Sequence, residues 1–158
     1  MLVLFLGGQH HFAEIKRYMI VNVQDIEDYF NYCNQEFFNN ELPVPGLEVI
    51  HSYKYCAYFH ADRKWYEKDI SNPIIYISDY WQFPKKTVIN LMCHEMIHYY
   101  LALNRIDIKG SHGKEFKKMA RKLNKQYKLH VTEIVDTSKL KRNPAAPLLG
   151  YWWHKLFR

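Results

Sequence analysis

Between Val23 and Phe38 the apolar residues Ile26, Phe30, Cys33 and Phe37 recur at helical spacing, with Asn22 placed to cap the start and Leu42-Pro43 following the end. An amphipathic helix is expected there. Three short runs of strand character come next, Leu47 to Ser52, Tyr55 to His60 and Pro73 to Tyr80, and the stretch between the last two, residues 61–72, is charged and turn-like. Pro84 sits where a helix can begin, and Thr87 to Asn104 carries Val88, Leu91, Met92 and Ala102 without a Pro or Gly to interrupt it. Beyond a loop containing Gly110, Lys114 to Tyr127 reads as a basic helix whose apolar stripe is Phe116, Met119, Ala120 and Leu123. Leu129 to Val135 alternates as a strand would.

Length adds a bound: 158 residues, 48% of them apolar and 16% aromatic, suit one domain with an ordinary core. Residues 1–18 read as an extension ahead of the first clear element, 19–137 as the domain, and 138–158 as a basic and aromatic tail closing on Tyr151-Trp152-Trp153-His154. The apolar run Leu2 to Leu6 has no basic flank before it and is too short for a signal sequence or a membrane span, so neither export nor a membrane anchor is expected. Cys33, Cys56 and Cys93 are odd in number and form no C-x-x-C pair, which reads as buried, reduced thiols in a cytoplasmic protein. A net charge of +6 favours acidic partners, nucleic acid first, or else is a basic surface of no consequence.

The candidate chemistry lies in His94-Glu95-Met96-Ile97-His98. On a helix the two histidines stand one turn and about 40° apart, so both imidazoles can reach one ion, while Glu95 falls on the adjacent flank as a general base. A catalytic zinc site takes three protein ligands and leaves one position open. His112, followed by Gly113, is the favoured third ligand, with Glu115 as the alternative. Leu101 and Asn104 stand where a metzincin has Gly and His, which excludes that class. His10, His11, His51, His60 and His130 show no comparable spacing; His154, in the tail, is the one other histidine worth testing as a ligand.

The residues Tyr29-Phe30-Asn31, Phe37-Phe38, Leu42-Pro43, His94-Glu95-Met96-Ile97-His98 and His112-Gly113-Lys114-Glu115-Phe116 together resemble the SprT-like metallopeptidases over about residues 22–135. The resemblance implies a small zincin-like α+β domain with a short, mainly antiparallel sheet. It also implies one Zn2+ on His94, His98 and His112, a protein or peptide substrate and, by analogy with eukaryotic members, cleavage of proteins crosslinked to DNA. No cysteine follows Cys93, so it does not extend to the Cys-rich zinc ribbon those members carry. Two other readings stand beside it: a noncatalytic nucleic-acid-binding or regulatory protein with structural zinc, and a peptidase independent of DNA. Lys114, Lys117, Lys118, Arg121 and Lys125 form a broad arc opposite the apolar stripe, either a solvated face or a sequence-independent phosphate-binding one. The strand around Ile74 to Tyr80 is either a core strand or an edge on which an extended peptide lies.

Overall fold

The computed structural model describes residues 18–63, 69–106 and 112–146. A two-residue strand, β1 (Tyr18–Met19), leads into helix α1 (Val23–Phe37). The helix opens on a reciprocal cap in which Asn22 accepts from the Asp25 amide and Asp25 accepts from the Asn22 amide, both at 2.9 Å. It buries Ile26, Phe30 and Cys33 as the spacing predicts, while Phe37 stays half-buried against the Tyr127 ring at 4.9 Å. Asn39 and Asn40, at φ 54° and 56°, turn the chain off the helix in a conformation that Asn tolerates better than branched residues do.

The larger sheet contains β2 (Gly46–Ile50), β3 (Ala57–Asp62) and β4 (Ser71–Ser78) in the order β2-β4-β3. β2 runs parallel and β3 antiparallel to β4. Period-two alternation sends Ile75 and Ile77 into the core and Tyr76 to the other face, where it stacks on its cross-strand partner Tyr58 at 4.5 Å. β4 is therefore the central strand. The possibility that it offers an edge is overturned, because both of its sides are taken; β3 is the edge that borders the cleft described below.

β5 (Trp81–Pro84) then pairs antiparallel with β1 and with β6 (Lys141–Arg142), making a second small sheet in the order β1-β5-β6. Among the described residues three of the four strand pairings are antiparallel, and with three α-helices the architecture is α+β.

Helix α2 (Lys85–Leu103) starts directly after Pro84 and buries residues almost all round, from Val88 and Leu91 through Met96, Ile97 and Tyr99. Such a helix is a central core element rather than a surface one. Helix α3 (Lys114–Tyr127) is the opposite case: Phe116, Ala120 and Leu123 are buried, and its six lysines and arginines are exposed. Lys128, at φ 57°, ends it.

The segment Leu129 to Val135 is not a strand. Its backbone is bonded by side chains: Asn90 accepts from the His130 amide at 3.0 Å, and Asn124 both accepts from and donates to Val131, at 2.8 and 2.9 Å. Alternation reports burial on one side, and here that side is met by α2 and α3 instead of a neighbouring strand. All three cysteines are buried and free. No described helix is long and apolar enough to cross a membrane.

Candidate metal centre

Because α2 is buried on nearly every side, the face carrying His94 and His98 is held rigidly, and the chain re-enters at His112 just before α3. Three imidazoles meet there. The Nε2 atoms of His94 and His112 are 3.0 Å apart, those of His98 and His94 3.2 Å, and those of His98 and His112 3.3 Å. Nitrogens on a tetrahedral ion with arms of 2.0–2.1 Å lie about 3.3–3.4 Å from one another, so this triangle fits one metal ion with little adjustment. Among the described residues these are the three that could hold one.

The His94 Nδ1–H donates to the Thr132 carbonyl at 2.7 Å, which fixes the tautomer and leaves the Nε2 lone pair free to coordinate. Beneath the triad lies Phe116, its ring centroid 4.8, 4.6 and 4.7 Å from those of His94, His98 and His112. Burial lowers His94 to about 4, against a smaller raising by its bond to Thr132 and with help from His112, and lowers His98 to about 3 with help from both neighbouring imidazoles. Both are thus neutral ligands-in-waiting near pH 7.

Glu95 is 4% exposed and lines the same cleft of about 690 Å³, whose walls are β3, the C-terminal half of α2 and the start of α3. Burial raises its carboxyl to about 8, against a smaller lowering by the Phe59 backbone N–H that faces it. A dication beside it would favour the carboxylate again. Glu115, the alternative ligand, lies outside the cluster and pairs with Lys118 at 3.7 Å. His51 pairs with Asp79 at 2.8 Å, His60 sits 3.5 Å from Asp62 on the cleft lip, and His130 is held through its amide. His10, His11 and His154, like Trp152 and Trp153, lie outside the described residues.

These shifts predict how the metal-free chain responds to pH. Between pH 4.5 and about 8 the folded chain keeps a proton on Glu95 that the unfolded chain has released, so this group's contribution is full below pH 4.5 and is lost as pH rises through 8. Glu95→Gln should therefore stabilise the metal-free protein at pH 8.5, by roughly 5 kcal/mol at most, with the gain shrinking toward pH 4.5. His94 and His98 act oppositely: their contribution is present above pH 6.5 and lost as pH falls toward 4 and 3. Thermal melts of both proteins from pH 4 to 9 check this, and parallel curves would contradict it.

Nothing in the residue types pointed to Thr132, to Phe59 or to the contact of the Phe116 ring with all three imidazoles. The first two act through backbone atoms, which no residue type announces. Of the basic arc, Lys114, Lys117, Lys118, Arg121 and Lys125 are all exposed, but Lys117 pairs with Glu133 at 3.3 Å and Lys118 with Glu115.

Comparison with protein-family models matches the chain to the SprT-like family over residues 26–138. The match spans well over half of the chain and takes in most of α1, the whole of the larger sheet, β5, α2, α3, the three imidazoles and Glu95, while β1 and β6 lie outside it. No curated protein matches the chain.

Proposed function

Because the chain belongs to the SprT-like family, we propose that it is a zinc-dependent metalloendopeptidase with Glu95 as general base and His94, His98 and His112 as ligands. The observation that carries this is the triangle of Nε2 atoms 3.0 to 3.3 Å apart with a buried carboxylate beside it in one open cleft. Three imidazoles and no carboxylate ligand suit zinc better than magnesium or calcium, which take oxygen donors. A zinc ion held there supplies Lewis acidity and makes water acidic enough to ionise near pH 7. A structural site needs no acid–base carboxylate, which favours catalysis over the noncatalytic reading.

The chain's own residues divide the remaining work. Glu95 removes the proton from the attacking water and later delivers it to the leaving amide nitrogen. The Phe59 N–H orients that carboxylate, and the Thr132 carbonyl orients His94. Since Phe59 turns its amide away from β4, ladder alternation turns Ala57 the same way, so the backbone groups of Ala57 and the Phe59 carbonyl face the cleft. An extended peptide adds to β3 as a further strand there, beside Glu95.

DNA is the second element of the proposal, and the start of α3 beside His112 is what favours it. Arg121, Lys122 and Lys125 are exposed, and neither they nor Lys114 pairs with an acid among the described residues. Binding to DNA should be indifferent to sequence and weaken with salt, and Arg121→Glu with Lys125→Glu should lower the log–log salt slope by about 2. Titrations at four salt concentrations measure it. An unchanged slope would place any nucleic-acid surface elsewhere, and no binding at low salt would leave a DNA-independent peptidase. Incubating the zinc-loaded chain with a DNA-binding protein, with and without DNA, tests the whole reading: cleavage in both mixtures supports the peptidase alone, and faster cleavage with DNA supports both parts.

A further inference from the structure

We infer that Asn124 is a positioning residue for the metal centre: it clamps the segment after α3 so that the Thr132 carbonyl holds His94 in its ligating orientation. The inference rests on the zinc-site reading above. The Asn124 carboxamide makes two bonds to one residue, accepting from the Val131 N–H at 2.8 Å and donating to the Val131 carbonyl at 2.9 Å. Only one orientation of the amide satisfies both. Val131 is 3% exposed, so neither of these backbone groups has water as a ready substitute.

Val131 immediately precedes Thr132, and with the Val131 carbonyl fixed, the direction of the Thr132 carbonyl depends on only two backbone dihedrals. Those are restrained by the bond from Thr132 Oγ1 to the Ile134 carbonyl, at 2.8 Å. Upstream, Asn90 holds the His130 amide at 3.0 Å. Downstream, Glu133 pairs with Lys117 at 3.3 Å. The clamped residue therefore lies one position from the atom that receives the His94 Nδ1–H at 2.7 Å. Outer partners of this kind set ligand orientation and commonly carry ten- to hundredfold in metal affinity.

A clamp that merely closed a loop would have the same bonds, and the chain contains such a control. Asn34 on α1 donates to the Leu42 carbonyl at 2.8 Å and accepts from the Leu42 amide at 3.2 Å, and neither residue lines the cleft. Asn34→Ala and Asn124→Ala should lower the melting temperature alike. Only Asn124→Ala should weaken zinc, by roughly ten- to hundredfold in a chelator competition, with Asn34→Ala within twofold of wild type.

A second readout needs no metal: in the metal-free chain, proton exchange at His94 Nδ1, followed by nitrogen-15 NMR, should be faster in Asn124→Ala and unchanged in Asn34→Ala. Should Asn124→Ala fail to fold, Asn124→Asp, which keeps the acceptor for the Val131 amide and removes the donor, is expected to show the same two changes. Zinc affinity within twofold of wild type together with an unchanged Nδ1 exchange rate, in whichever variant folds, overturns the inference. A wild-type chain that takes up no zinc would defeat the metallopeptidase reading, and the exchange rate would still decide the role of Asn124.

Discussion

Glu95→Gln should reduce peptide hydrolysis by about a hundred- to ten-thousandfold, the usual contribution of a positioned acid–base group, and leave the metal in place. The amide has the same shape and still lies under the Phe59 N–H, but it can neither take a proton from water nor return one to a leaving amine. Metal retention follows from position: the atoms grouped so that they could hold an ion are the three Nε2 nitrogens, and Glu95 is outside that set. In the metal-free state above pH 4.5 the variant should be the more stable protein, because it neither has to keep a proton that the unfolded chain releases nor, above about pH 8, to bury a charge. Activity and stability thus move in opposite directions. A variant that cleaved at the parental rate would remove Glu95 from the mechanism.

His112→Ala should release the metal. Apparent zinc affinities of about 10–16 kcal/mol spread over four ligands amount to roughly 3 kcal/mol each, so the loss of one imidazole should weaken binding on the order of a hundredfold or more. His112 enters from outside α2, so its removal leaves the one-turn pair His94 and His98 on an intact helix. The fold should survive, with Phe116 still packed under the remaining pair. Elemental analysis after dialysis measures the outcome. Zinc unchanged in His112→Ala would exclude it as a ligand and return attention to Glu115, three residues along.

The helices were legible because their signals are periodic and local. Ile26, Phe30 and Cys33 declared the buried face of α1, and Phe116, Ala120 and Leu123 that of α3. His94, Glu95 and His98 were legible for the same reason, since one helical turn fixes their relation regardless of the rest of the fold. His112 was favoured in the sequence by its chemistry and by Gly113, with Glu115 left open; the approach of the chain before α3 brings His112, and not Glu115, to the pair.

Strand relations were less accessible. The run Pro73 to Tyr80 contains the same alternation whether it is central or at an edge, and only pairing showed β4 to be central, with β2 and β3 at the edges. Leu129 to Val135 misled because Asn90 and Asn124, distant in sequence, take the bonds a neighbouring strand would have made. The ion pair of Lys117 with Glu133 is hidden for a similar reason, lying sixteen positions apart with a turn between them. β1, β5 and β6 span only two to four residues each, too few for any period to register.

The most direct measurement is mass-spectrometric mapping of bonds cleaved in an unfolded polypeptide by the wild-type chain, first stripped of metal and then given one equivalent of zinc. New internal cleavages are expected only after zinc returns, at a rate that saturates at one zinc per chain and vanishes again with chelator. Cleavage that persists in the stripped protein, or none when one equivalent is bound at the three imidazoles, would contradict the account.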